Sequence, residues 1–310
     1  MNGLLNVLKA PGMTSHDVVD AVRRLLGERR VGHTGTLDPA VPGVLPVCVG
    51  QATRLSEFLL VLDKSYRAEL TLGASSDTLD WTGDVTPQSD ASHVSAGDLA
   101  ACLERFCGTI GQVPPMVSAV RRGGRRLYEI ARRGGTVPRE PRPVTIHRLE
   151  LVAFRPGAAA RAVIDVRCSK GTYVRSLCAG IGDALGCGGY MSFLVRTGVG
   201  PFRLNDALAL DDLEALRGEG RLAAALVPPR AVLGHLPAVT VPAHLERSIL
   251  SGVQPGPSLP VPAGAAAGSA VLLLDGQGEV LAVAVVAGAG PGAGLRLRKV
   301  FSGAAADRGG

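Results

Sequence analysis

The chain is poor in aromatic residues, which make up 4% of its 310 positions, so each tyrosine or tryptophan beside a polar motif stands out. Several catalytic kits are missing altogether. There is no HExxH, no GxxxxGK[ST], no GxSxG and no carboxylate cluster at metal-ligand spacing. Zincin, P-loop and hydrolase chemistry are thereby set aside, and neither metal nor cofactor is expected. No GxGxxG turn links a strand to a helix, which argues against a dinucleotide fold. The six cysteines (48, 102, 107, 168, 178 and 187) form no CxxC pair and read as small buried hydrophobes in a reducing compartment. No basic, apolar, cleavable leader opens the chain, and no apolar run approaches the roughly 18 residues of a membrane span. A cytoplasmic protein is expected.

What is present is a chain with 46% hydrophobic residues and a formal charge of +6, enough for a real core and suited to a polyanionic partner. "GLLNVL" (3 to 8) reads as a strand. "TSHDVVDAVRRLLG" reads as a helix capped by Thr14 or Ser15 and stopped at Gly27, with Val18, Val22, Leu25 and Leu26 on one face. "YRAELTLG" alternates, with Tyr66, Ala68, Leu70 and Leu72 on one side. A helix is predicted over 98–108, a strand over 160–170, and a helix face through Val174, Leu177, Cys178, Ile181 and Leu185. The mixture lacks a βαβ beat, so an α+β fold with a mainly antiparallel sheet is expected. Near residue 236 composition shifts to a Pro/Gly/Ala-rich stretch. A hairpin ("AVLLLD-GQG-EVLAVAVV") and a last strand ("LRLRKVF") follow, as in a small β module of its own.

Three segments carry candidate chemistry. "VGHTGTLDPAVPGVLPV" (31 to 47) crowds one carboxylate, Asp38, into a Gly/Pro-rich loop. Asp-Pro commonly opens a turn, and taken alone the loop favours that role over nucleophilic attack on carbon. "CSKGTYVR" places Lys170, Tyr173 and Arg175 at a strand-to-helix turn. An arginine there does not suit the helix dipole, so Arg175 is either a solvated cation or the partner of a carboxylate. "VRRGGRRLYEIARRGGTVPREPRPVTIHR" (120 to 148) sets nine arginines, among them Arg121, Arg125, Arg126 and Arg132, against two glutamates, with Tyr128 interleaved. Such a run is either a solvated face or a mobile arm on a phosphate backbone, and the Gly pairs and the aromatic favour the arm.

Together these segments resemble the bacterial tRNA pseudouridine-55 synthases, the TruB family. The likeness runs through "KAPGMTSHDVV", "GHTGTLDP..PGVLPVCVGQATRL", "KSYRAELTLGASSDTLDWTG", "PPMVSAVRRGGRRLYEIARRG", "CSKGTYVRSL" and "FLVRTGVGPF". It covers residues 3 to about 203 and continues into a C-terminal PUA-like module. The resemblance implies a pseudouridine-synthase fold: a catalytic domain over 1–235 with a basic arm at about 120–142, a PUA-like RNA-binding domain over 236–302, and a loose tail over 303–310. It implies Asp38 as nucleophile, Tyr66 stacking on a flipped uridine and assisting proton transfer, and Arg175 bridging the aspartate. His33, Tyr173 and Leu194 are implied at the base, with Lys9 and Lys170 as further substrate contacts and Arg121, Arg125, Arg126 and Arg132 on the RNA backbone. The chain departs from the family pattern at Pro11, Val41-Pro42, Val117, Gly180, Tyr190 and Val195, none of them in the Asp, Tyr and Arg set. The expected partner is the T-stem-loop of tRNA, met by a monomer without guide RNA or cofactor. A guide-RNA-dependent synthase and an RNA-folding protein remain the alternatives. Whether Asp38 bonds to C1′ or takes the 2′ proton stays open.

Overall fold

The computed structural model describes residues 1–118, 121–122, 124–127, 130, 135–288 and 290–301. Its centre is a nine-stranded, mixed but mainly antiparallel sheet. The main order is Gly3–Lys9, Gly43–Val49, Gly189–Val199, Lys64–Leu72, Arg161–Cys168, Arg142–Arg155 and Gly108–Gln112. Val31–His33 joins the second strand and Phe202–Arg203 the third. Alternation decides which side chains face inward: Ala68, Leu70 and Leu72 are fully buried, while Arg67 points to solvent and pairs with Asp165. Thr71 departs from the pattern, being buried and donating to Ser192 Oγ at 2.9 Å.

Two core clusters flank the halves of this sheet. One holds Leu70, Ile164, Leu177, Ile181 and Leu194; the other packs the first helix, Ser15–Leu26, through Val18, Val19 and Val22. That helix starts on a capping box between Thr14 and Asp17 and stops at Gly27, whose φ of 60° is left-handed. The helix Val174–Ala184 begins at the strand-to-helix turn anticipated from "CSKGTYVR" and buries Val174, Arg175, Leu177, Cys178 and Ile181.

Some expectations need correction. The helix read over 98–108 runs from Ala96 to Glu104, and Gly108–Gln112 is instead an edge strand paired with Arg142–Arg155. Gly108, at φ 90°, ends the helical path and lets the chain turn into the sheet. Arg142 and Arg148 belong to that long strand and not to an arm. Arg121–Arg122 and Arg125–Arg126 pair as a two-rung ladder. Arg132, Tyr128 and the tail over 303–310 lie outside the described residues. Five cysteines are buried as expected, but Cys107 is exposed. Among the described residues no helix is long and apolar enough to cross a membrane.

The C-terminal β region has its own four-stranded sheet, ordered Ala238–Thr240, Ala270–Leu274, Val280–Ala287 and Gly294–Val300. It does not hang free. Leu272, Leu274, Val283 and Phe301 share one buried cluster with Leu4, Val44, Cys48 and Leu55 of the large sheet and its flank. Glu57 adds ion pairs to Arg298 and to Lys299, the latter at 3.4 Å.

Lys9 is the structural surprise of the first strand. Placed by resemblance at the substrate, it is instead 0% exposed, and its Nζ donates to the carbonyls of Ala10, Met13 and Pro39 at 2.9, 2.7 and 2.9 Å. A substrate contact is therefore ruled out for it, since the ammonium is spent on the backbone. Desolvation pushes it down to about 8. Lys9→Met leaves the Ala10 and Met13 carbonyls without the ammonium and Pro39 O with Gly12 N alone, and is expected to cost at least about 2 kcal/mol of stability, measured by denaturant unfolding.

Candidate active site

Asp38 sits in the loop between Val31–His33 and Gly43–Val49. Its backbone carbonyl accepts from Val41 N at 3.0 Å, closing a turn with Pro39 at its second position. The turn role expected of Asp-Pro is thus taken by the main chain, and the side chain is left free. Leu37 and Val41 on either side are buried in the core. Three further ties fix the backbone. Ser15 Oγ accepts from Leu37 N at 2.9 Å, Gly12 N donates to Pro39 O at 2.9 Å, and Lys9 holds the same carbonyl.

The free carboxylate meets the arginine offered as its partner. Arg175 Nη2 lies 3.0 Å from Asp38 Oδ2, with the arginine side chain 7% exposed and the aspartate 50%. The same guanidinium donates from Nη1 to Asp80 Oδ2 at 3.2 Å and from Nη2 to Val117 O at 2.9 Å. A buried arginine is thus held by a buried acid behind it and presents its remaining edge to a half-exposed acid in front. Its solvated reading is overturned.

Asp80 was not singled out in the sequence, although "DTLDWTG" contains it. Its Oδ1 accepts from Thr78 Oγ1 at 2.9 Å, Thr82 N at 2.9 Å and Thr82 Oγ1 at 2.5 Å. The preceding residue, Leu79, has φ 65°, among the described residues the one non-glycine with positive φ. Strain of this kind costs on the order of 1–3 kcal/mol and persists where surrounding contacts over-determine the turn. A Thr-Leu-Asp-Trp-Thr turn gives little sign of this in sequence, because Leu is an unusual choice for a left-handed position.

The other candidates differ in exposure and in what holds them. Tyr66, on Lys64–Leu72, packs against the core that contains Leu194 and stands opposite Arg196 in the ladder; burial pushes its phenol up. Tyr173 caps the Arg175 helix, its main chain clasped by Gln112 through bonds of 2.7 and 3.0 Å. Leu194 is 7% exposed on the core cluster that also includes Leu37 and Val41. Lys170 is exposed just before Gly171, whose φ of 81° turns the chain toward the helix.

His33 is half-buried, and its Nδ1 accepts from Gly35 N at 3.3 Å. A backbone N–H aimed at Nδ1 places the remaining ring proton on Nε2. Burial first, and then the Arg196 charge, hold this imidazole below its ordinary value of 6.5. Among the described residues no group of three or more His, Cys, Asp or Glu is placed to hold a metal ion.

The chain is similar to several known proteins. The model of the TruB family pseudouridylate synthase N-terminal domain matches residues 23–174, and that of the tRNA pseudouridylate synthase B C-terminal domain matches 175–233. A tRNA pseudouridine synthase B of Symbiobacterium thermophilum is 56% identical over 255 residues, 82% of this chain and 83% of its own. Its counterpart in Moorella thermoacetica is 51% identical over 254 residues, 81% and 82% of the two chains. Among solved structures, a chain of a Cbf5-Nop10-Gar1 complex superposes with a TM-score of 0.76 at 28% identity, over 96% of this chain and 84% of that one. A second, from an H/ACA RNP bound to a substrate RNA containing 2′-deoxyuridine, gives 0.74 at 27% identity, over 96% and 84%.

Because the folded pKa of His33 lies below its unfolded value, this group adds stability that is fully present above pH 6.5 and is lost as pH falls through the folded pKa. Nitrogen-detected NMR is expected to find Nδ1 unprotonated and a titration midpoint below 6.5. A proton on Nδ1, or a midpoint at or above 6.5, would contradict the assignment.

Proposed function

This chain belongs to the TruB family of pseudouridylate synthases, and from that premise we propose that it isomerises uridine-55 in the T-loop of tRNA, with Asp38, Tyr66 and Arg175 as its working set. The observation that carries the site assignment is the Asp38–Arg175–Asp80 chain of charges, in which the one half-exposed carboxylate is anchored to a buried guanidinium. Pseudouridine formation breaks the bond from ribose C1′ to N1, turns the ring, and joins C5 to C1′. The C5 proton leaves and N1 ends protonated, so atoms and electrons balance without an outside reagent.

Asp38 is the group placed to act on the sugar, at C1′ or on the 2′ proton. Arg175 holds it ionised and oriented, since a charge-assisted pair favours the carboxylate form. A Lys could not reach Asp38, Asp80 and Val117 O at once, because it lacks the planar fork. Tyr66 offers its ring to the extruded base and its phenol to the C5 proton. His33, through Nε2–H, Tyr173 and Leu194 complete the pocket, with Lys170 at its rim. Extruding the base costs on the order of a few kcal/mol, offset by stacking and by phosphate contacts. Arg121, Arg125, Arg126 and Arg132 are assigned to those phosphates.

We read residues 1–235 as the catalytic domain and 236–302 as a PUA-like RNA-binding domain. The bacterial relatives, named tRNA pseudouridine synthase B, support a tRNA substrate, and we take the protein as a monomer that acts on free tRNA in the cytoplasm without guide RNA. The likeness to Cbf5 complexes favours the guide-dependent alternative, which the same experiment addresses.

The test is release of tritium from C5-labelled uridine in an unmodified tRNA transcript, with purified protein alone. About one equivalent per tRNA is expected, lost when the T-loop uridine is replaced and lost in Asp38→Asn with tRNA binding retained. Full release by Asp38→Asn would overturn the nucleophile. Tight binding without any release by the wild type would support a missing partner or an RNA-folding role. Asp80→Asn is expected to slow release by about 10-fold or more while tRNA affinity stays within threefold, as befits loss of one charged hydrogen bond at the anchor.

A further inference from the structure

Beneath the catalytic loop lies a charged side chain that the mechanism above does not use. Arg196, on Gly189–Val199, is 1% exposed and heads the fully buried side chains by size. Its Nε donates to Val44 O at 2.7 Å, Nη1 to Thr36 O at 3.3 Å and Nη2 to Gly35 O at 3.3 Å. Across the ladder with Lys64–Leu72, Arg196 stands directly opposite Tyr66. Among the described residues it forms no ion pair with a carboxylate. Burying a guanidinium on neutral acceptors alone carries a desolvation cost of several kcal/mol, so a cheaper apolar residue would serve a purely packed interior better.

What the cation joins explains its presence. Gly35 and Thr36 precede Asp38, Val44 follows it, and Tyr66 stands on a different strand. The main chain is joined at the same place. Arg196 and Gly43 form the parallel rung that links the two antiparallel halves of the sheet, and Arg196 N donates to Pro42 O at 3.1 Å. The approach is so close that a Cβ on Gly43 would fall 2.3 Å from the Arg196 carbonyl oxygen.

We infer that Arg196 is a positioning residue for the isomerisation, fixing the loop on both sides of Asp38 and the strand that carries Tyr66 in a single frame. This inference rests on the proposed roles of Asp38 and Tyr66. Its side chain is sealed from substrate, so it works through the separation of those two groups. Arginine suits the task because its fork reaches acceptors on several segments at once, which an ammonium on one point cannot do. Misplacing a reacting group by about 1 Å can cost on the order of 100-fold in rate, so a small loosening here is felt in chemistry before it is felt in binding.

The experiment compares Arg196→Lys and Arg196→Gln with wild type in single-turnover tritium release at saturating enzyme, alongside Kd for the tRNA transcript. The folded variants are expected to lose about 30- to 100-fold in rate with Kd within about threefold. Val22→Ala, in the remote core beside the first helix, supplies a destabilised control that keeps the wild-type rate within twofold at a temperature where it is folded. A wild-type rate in folded Arg196→Lys or Arg196→Gln, a loss confined to Kd, or an equal rate loss in Val22→Ala would overturn the inference. So would failure of both Arg196 variants to fold at any temperature, which would make the residue structural alone. Asp38→Asn, run in parallel, separates the two layers. If it is active, the proposed chemistry fails. If it is inactive while folded Arg196 variants turn over normally, only the positioning role fails.

Discussion

The buried Arg175 guanidinium is neutralised where it stands, and that pairing organises the site. Arg175 is buried at the first turn of its helix, where the peptide dipoles oppose a cation. Asp80 offsets that cost from within, and its own turn is held by two threonines and a left-handed Leu79. Once Asp80 fixes one edge of the fork, the other edge is fixed too, and Asp38 takes it. The same arginine reaches Val117 O at the root of the basic segment, so that segment and the Asp38 carboxylate share one anchor.

The remaining buried cations follow a different rule. Lys9, Lys64 and Arg196 are all nearly inaccessible, and each is surrounded by main-chain carbonyls in place of a carboxylate. Carbonyl acceptors stabilise a cation without introducing a second acid. Dipoles beneath the loop hold its shape and leave the one useful ion pair alone. Such a scheme tolerates the departures at Pro11, Val41-Pro42 and Val195, since what it needs at those positions is backbone.

Much of this was legible in sequence because it depends on local patterns. Alternation marked the Tyr66 strand, a Thr14 or Ser15 cap and a Gly27 stop marked the first helix, and the place of Arg175 at a helix start offered an acid as its partner. Three things were not legible. Asp80 hides in a turn whose strain comes from long-range pairing, Met191 N donating to Leu79 O at 3.1 Å. Arg196 reads as one more alternating strand residue, and its partners come from segments about 130 to 160 positions away. Lys9 carries a motif position that suggests a ligand contact, yet its register on an inner-facing strand end buries it. In each case the deciding contact is a backbone carbonyl or a distant strand, and neither leaves a periodic trace.

The shared core between the large sheet and the C-terminal module has a consequence for how an RNA is measured. Leu272, Leu274, Val283 and Phe301 are locked against Leu4, Val44 and Leu55, so the second sheet cannot swing on a tether. If the C-terminal sheet meets the proposed RNA substrate too, the two parts would hold it at one fixed separation, and the span between a loop and a distant helix end would decide what fits. Two RNAs with identical loops but stems of different length would then be sorted by geometry, before any base is read.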